Sequence, residues 1–270
     1  MLYLHSLSPI FIDIGFLTIH WYGIMYLLGF LAAYYLSYYR RHRLQWTKDD
    51  LSDALFYCVL GVIGGGRIGY MLFYDFASLV DNPLSLLYIW KGGMSFHGGV
   101  IGVVLACWIL ARRKGINPFD LGDFVLPAMP IGIGLGRLGN FINGELWGKP
   151  TNADWGVIFP AIDLQARHPS QLYEMLLEGL VLFIILWWFS AKPKPRMTMI
   201  GLFLLGYGLA RFTVEFVRVP DSHLGYLLFD WMTMGQILTL PMMLIGSFML
   251  IYGYKKNIIP NYSNQQSHQS

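Results

Sequence analysis

Thr233 to Tyr254 reads TMGQILTLPMMLIGSFMLIYGY and runs straight into Lys255 and Lys256. Those 22 residues contain no Asp, Glu, Lys or Arg. At 1.5 Å per residue, a helix of that length crosses a hydrocarbon core of roughly 30 Å. The same pattern recurs upstream, and the sequence predicts transmembrane segments at about 16–39, 51–74, 94–111, 121–141, 170–190, 198–217 and 233–254. Of the 270 residues, 55% are hydrophobic and only 13% are Asp, Glu, Lys or Arg, about half the charged share of a soluble domain. One soluble core cannot bury that much apolar surface.

The charges that remain are placed unevenly. Twelve of the 19 Lys and Arg residues fall in four alternate connections: Arg40, Arg41, Arg43 and Lys48; Arg112, Arg113 and Lys114; Lys192, Lys194 and Arg196; Lys255 and Lys256. The connections between them contain Lys91, Lys149 and Arg167, with Arg218 just past the sixth span. Basic loops stay in the cytoplasm, so the N-terminus is expected outside and the C-terminus inside. The expectation is therefore an all-α integral membrane protein with about seven transmembrane helices, a single polytopic domain over 1–256. An interfacial arm is expected at about 75–93, a small extracytoplasmic cap at about 142–169, and a disordered cytoplasmic tail over 257–270. The first basic residue is Arg40, which argues against a cleaved signal peptide. No basic run interleaved with aromatics suggests nucleic acid. Cys58 and Cys107 sit in apolar stretches and suggest neither a disulfide framework nor a metal site.

Against this background, Arg67, Arg137, Arg211 and Glu215 stand inside predicted spans, with Glu174 and Glu178 in the first turns of the fifth. A charge at mid-bilayer costs at least ~2.5 kcal/mol and needs a partner, a wet cavity or a ligand. Counting along the spans places these groups, with Tyr22 and His97, in the outer half of the membrane, which suggests one polar cavity there. Simpler readings stand beside this one. His20, Tyr22 and Tyr26 fit an aromatic belt. Arg211 and Glu215 fit a structural ion pair at i, i+4. Gly61, Gly65 and Gly69 form a small-residue ladder for helix packing, and Glu174 and Glu178 fit a contact with the cap or a neighbouring helix. The densest constellation is Gly136 to Gly148, GRLGNFINGELWG. It delivers Arg137, Asn140, Asn143 and Glu145 at a glycine-rich helix end, where a guanidinium fork matches phosphate oxygens.

That stretch resembles the signature of the prolipoprotein diacylglyceryl transferases. Five further segments resemble the same family, in its order: HWYGIMY at 20–26, GGGRIGY at 64–70, GMSFHGG at 93–99, RHPSQLYE at 167–174 and GYGLARFTVEF at 206–216. The resemblance implies a bacterial inner-membrane transferase with its active site near the outer leaflet. Such an enzyme moves the diacylglyceryl group of phosphatidylglycerol onto the thiol of the lipobox cysteine in a prolipoprotein signal peptide. A thioether forms and sn-glycerol 1-phosphate is released, the first step of lipoprotein maturation, with no metal or organic cofactor. By motif match, the family's essential arginines fall on Arg137 and Arg211 and its important histidine on His97. Tyr22, Asn140, Asn143, Glu145, Gly148 and Glu215 match further residues of the family site.

In that chemistry the arginines hold the phosphate and stabilise its growing charge. The thiol, with an ordinary pKa near 8.5, needs a base. His97 is one candidate; the alternative is that the arginine field acidifies the thiol and phosphate or solvent takes the proton. The competing reading of the whole chain is a carrier or channel for an anionic lipid or metabolite, which would continue polar residues to the inner half.

Overall fold

The computed structural model describes residues 2–220 and 225–260. The tail expected to be disordered lies outside the described residues from position 261 onward. The structure is mostly helical: α1 (Trp21–Arg40), α2 (Lys48–Phe73), α3 (Phe76–Asp81), α4 (Phe96–Arg113), α5 (Pro118–Val125), α6 (Met129–Asn143), α7 (Ser170–Glu174), α8 (Leu182–Phe189), α9 (Thr198–Val214) and α10 (Met234–Lys256). A π-helical stretch, Met175–Val181, joins α7 to α8. By length and composition, five helical stretches among the described residues suffice to cross a membrane: α2, α4, Pro118–Asn143, Ser170–Phe189 and α10. Helix α9 is apolar but has 17 residues. Helix α1 has the length, at 20 residues, but tyrosines dilute its apolar character.

One expectation fails at the start of the chain. The helix expected from about residue 16 begins at Trp21, and residues 10–20 form an antiparallel hairpin of β2 (Ile10–Asp13) and β3 (Thr18–His20), after the short strand β1 (Tyr3–Leu4). The turn explains it: Asp13 accepts from the Gly15 N–H at 2.9 Å, and Gly15 takes φ +83°, a conformation that suits glycine. Short β-branched runs do not separate strand from helix by hydrophobicity alone.

The chain divides into two compact units, one of Tyr38–Gly122 and one of the residues up to Ser37 with those from Asp123 on. In the first, α2 begins with a capping box between Thr47 and Asp50. The predicted glycine ladder packs backbone to backbone against α4. A Cβ on Gly65 would lie 2.3 Å from the Gly98 carbonyl oxygen, and one on Gly102 would lie 2.0 Å from that of Gly61. At the far end of α4, Lys114 bridges Asp50 and Asp53 at 2.6 and 2.9 Å. The arm consists of α3 and two 3-10 turns, Pro83–Leu87 and Ile89–Lys91. Buried Arg67 holds it, donating to the carbonyls of Ser85 at 2.7 Å, Leu86 at 3.2 Å, Gly92 at 2.6 Å and Gly93 at 3.1 Å.

In the second unit, α6 lies against the π stretch through Gly134 and Gly179, where a Cβ on Gly179 would meet the Gly134 Cα at 2.7 Å. Helices α9 and α10 meet in the same manner at Gly201 and Gly246. The start of α9 is capped from a distance, because the Asp123 carboxylate accepts from the N–H groups of Met197 and Ile200 at 2.6 and 2.9 Å. Leu182, Leu186 and Met199 form a buried cluster between α8 and α9. The region 142–169 carries a small sheet of β1, β4 (Val157–Ile158) and β5 (Ala166–Arg167), and β6 (Tyr226–Leu228) pairs with β7 (Met232–Thr233) beside α10.

Candidate functional site

The glycine-rich signature folds into the last turns of α6 and the turn after it. Gly144 stops the helix in the left-handed region at φ +67°. The chain then doubles back, so that the Glu145 carboxylate accepts from Asn140 Nδ2 at 2.8 Å and Asn143 Nδ2 at 3.2 Å. Gln171, fully buried on α7, donates to the Glu145 backbone carbonyl at 2.5 Å. Among the described residues, Asn143 Oδ1 and Gln171 Oε1 are buried without a hydrogen-bond partner, two acceptors available to a donor that enters. Tyr22 crosses α6 at Gly139, where a Cβ would lie 3.0 Å from its ring, and its hydroxyl is 3.3 Å from that of Tyr26. Gly148 is enclosed by backbone: a Cβ there would lie 2.5 Å from the His168 carbonyl oxygen and 2.8 Å from that of Val217. That enclosure accounts for the glycine on steric grounds.

One turn before Asn140, Arg137 leaves α6 toward two fully buried carboxylates. Its Nε is 3.3 Å from Glu174 Oε2, and its Nη2 is 3.3 Å from Glu178 Oε2. Arg211 on α9 contacts the same pair, bonding Glu174 directly through Nη1 and lying 3.9 Å from Glu178 Oε1. Its Nη2 is paired with Glu215. Arg218 closes the set, with Nη1 3.1 Å from Glu215 Oε1 and Nε 3.9 Å from Glu174 Oε1. Glu215 is anchored in turn by the Thr233 hydroxyl at 2.7 Å, at the N-cap of α10. Three guanidinium groups and three carboxylates thus form one buried network whose formal charges cancel. Ions so buried are tolerated only when each finds opposite charge at short range. The expected Arg211–Glu215 pair is part of this larger set.

Of the residues singled out from sequence, Arg137, Arg211, Glu215, Asn140, Asn143, Glu145, Gly148 and Tyr22 all belong to this unit. The network joins the first three, and Glu145 ties the two asparagines together. His97 belongs to the other unit, on the first turn of α4 after the Ser95 N-cap, where it is exposed and its ring contacts Phe96. Arg67 spends its donors on the arm's carbonyls. Glu174 and Glu178, expected to contact the cap or a neighbouring helix, are the carboxylates that Arg137 and Arg211 share. Gln171 was not singled out from sequence. Nearby in 142–169, the Arg167 guanidinium holds the Asp163 carboxyl below its ordinary range through a 2.5 Å bond. Burial keeps His168 below the usual histidine value, with Nδ1 3.2 Å from the Tyr173 hydroxyl.

A family model described as prolipoprotein diacylglyceryl transferase matches residues 9–252. Three relatives carry the name phosphatidylglycerol--prolipoprotein diacylglyceryl transferase. The one from Marinomonas sp. (strain MWYL1) is 54% identical over 264 residues, covering 97% of this chain and 98% of its own. That from Coxiella burnetii (strain RSA 331 / Henzerling II) is 53% identical over 257 residues, 94% and 98% of the two chains. The protein of Legionella pneumophila (strain Corby) is 52% identical over 248 residues, 91% and 97% of the two chains.

Proposed function

Since this chain belongs to the prolipoprotein diacylglyceryl transferase family, we infer that it is a membrane-bound transferase of lipoprotein biogenesis, moving the diacylglyceryl group of phosphatidylglycerol onto a prolipoprotein. The acceptor is the thiol of the lipobox cysteine in the signal peptide. Its sulfur attacks the glyceryl carbon that bears the phosphate, the C–O bond breaks as the C–S bond forms, and sn-glycerol 1-phosphate leaves. The observation that carries this reading is the convergence of Arg137 and Arg211 on one pair of buried glutamates. Two guanidinium groups held at one place by fixed carboxylates are preorganised for a phosphate whose charge rises during the reaction.

Arg137 and Arg211 bear the leaving phosphate. Asn143 Oδ1, lacking a hydrogen-bond partner among the described residues, supports a role in accepting from a glycerol hydroxyl. Asn140 and Glu145 frame that position, Tyr22 closes over Gly139, and Gly148 keeps the backbone close. Glu215 holds Arg211 and Arg218. His97 is assigned to the substrate thiol, as base or as positioning group, on its motif match alone. The chain crosses the bacterial inner membrane seven times as one domain, N-terminus outside and tail in the cytoplasm. Arg41 and Arg43 after α1, Arg112, Arg113 and Lys114 at the end of α4, Lys192, Lys194 and Arg196 after α8, and Lys255 and Lys256 at the end of α10 support that orientation. The site then lies toward the outer leaflet, where lipid headgroup and lipobox cysteine meet.

The test is to incubate the purified protein in detergent with phosphatidylglycerol and a lipobox peptide. Expected are a diacylglyceryl mass gain on the peptide, dependent on its cysteine, and release of glycerol phosphate, both lost in Arg137→Ala. Lipid binding without transfer, in a folded sample, would favour the carrier reading instead.

A further inference from the structure

The chain has two cysteines, 49 positions apart, and the fold sets their sulfurs 3.8 Å from one another across the α2–α4 contact. Neither takes part in the proposed transfer. Their meeting follows from the glycine ladder: beside them, a Cβ on Gly61 would lie 2.7 Å from the Gly102 carbonyl oxygen and 3.0 Å from the Ala106 Cβ. Helices held that close leave two facing thiols within a side-chain rotation of the ~2.05 Å bond length of a disulfide. Phe56, Leu60, Val104 and Leu105, the neighbours of this pair on the two candidate spans, are exposed apolar side chains. In a bilayer those side chains face lipid.

From this geometry we infer that Cys58 and Cys107 are a redox-active dithiol, oxidised within the membrane by a lipid-soluble quinone. In that step both S–H bonds break and one S–S bond forms. The sulfurs lose two electrons and two protons, and the quinone takes both to become a hydroquinone. Water-borne reagents do not enter the lipid that the pair faces, whereas a quinone partitions to the site. The bond pins α2 to α4 at a second point, the first being the Arg67 grip on Gly92 and Gly93 just ahead of α4.

The test treats the full-length protein in nanodiscs with decylubiquinone, whose fully substituted ring forms no thiol adduct. Samples are then denatured, alkylated and digested without reductant. Expected is equal loss of both free thiols, a peptide joining Cys58 to Cys107 two hydrogens lighter than its parts, and a rise in thermal midpoint that a phosphine reductant reverses. In Cys58→Ser and Cys107→Ser the remaining thiol survives quinone, and hexacyanoferrate(III) in the water leaves the wild-type pair reduced. Full alkylation of both thiols after quinone treatment overturns the inference, as does cross-linking only between chains. Consumption of a lone thiol in either variant overturns it equally.

Discussion

Arg137→Lys keeps the charge of the buried network and removes only the fork, so it isolates what planar geometry contributes to catalysis. The guanidinium donates twice to Glu178 Oε2, from Nε and Nη2, each at 3.3 Å, and its Nε also lies 3.3 Å from Glu174 Oε2. An ammonium ion on its stem keeps one of the two bonds and gives up the other, or turns from a bound phosphate to do so. A charge-assisted bond contributes ~1.5–3 kcal/mol. At 3.3 Å these contacts are longer than the ideal, so the lower part of that range applies, ~1.5–2 kcal/mol. At 1.36 kcal/mol per tenfold, the expected fall is ~12–30-fold. The phosphate gains its second negative charge only as the C–O bond breaks, so the loss falls on kcat rather than on KM for the lipid. The assay is initial-rate transfer to a lipobox peptide in mixed micelles over a range of phosphatidylglycerol mole fraction, with thermal unfolding run alongside. A kcat within about twofold of wild type, at an unchanged unfolding midpoint, would refute the reasoning.

Glu178→Gln keeps the shape of the network and gives it a net positive charge; it is expected to lower stability by ~1–3 kcal/mol in thermal unfolding and to tighten product inhibition by glycerol phosphate. An unchanged inhibition constant would show that the carboxylate does not oppose the product. Gly102→Ala puts a methyl group 2.0 Å from the Gly61 carbonyl oxygen, so α2 and α4 must part at the cost of ~1–3 kcal/mol or more, seen as a lower thermal midpoint. His168, held low by burial, binds a proton in the unfolded chain before the folded one. Its contribution is complete above about pH 6.5 and is lost as pH falls below that value; a plot of thermal midpoint against pH should be shallower there in His168→Gln.

The helices were legible because membrane helices announce themselves by length and by the charges at their ends. Thr233–Tyr254 ending in two lysines becomes α10, and the span expected at 51–74 becomes α2. The glycine ladder was legible as well, since a period of four with no side chain has few other uses in an apolar helix. The hairpin of residues 10–20 was not, because Ile10, Phe11 and Ile12 are as apolar as a helix start and the turn at Asp13–Gly15 is a local hydrogen bond without periodicity. In the site, the Arg137–Gly148 signature could be read because its residues are near in sequence. Which carboxylates pair with Arg137 and Arg211 could not, because Glu174 and Glu178 lie more than 30 positions from either arginine and only packing selects them. Arg67 shows the reverse error, since a buried arginine at a plausible depth found its partners in the carbonyls of its own arm.

Three arginines without glutamates would bind any phosphate strongly, substrate and product alike. Phosphatidylglycerol is a monoanion and the departing glycerol phosphate approaches a dianion, so an uncompensated cluster would hold the product more tightly than the substrate and turn over slowly. A network whose charges cancel has a different response. Each carboxylate fixes a guanidinium in place before substrate arrives, which removes reorganisation from the barrier. In the proposed transfer the same carboxylate would repel the phosphate as its second charge develops, which would limit how long the product stays. The two effects have different geometry: fixing depends on the hydrogen bonds from Arg137 Nε and Nη2 to Glu178 Oε2 and on the ion pair of Nε with Glu174, whereas repulsion depends only on net charge. Glutamine at position 178 retains much of the first and loses the second, while lysine at position 137 does the opposite. The two substitutions therefore separate preorganisation from product release within one buried cluster.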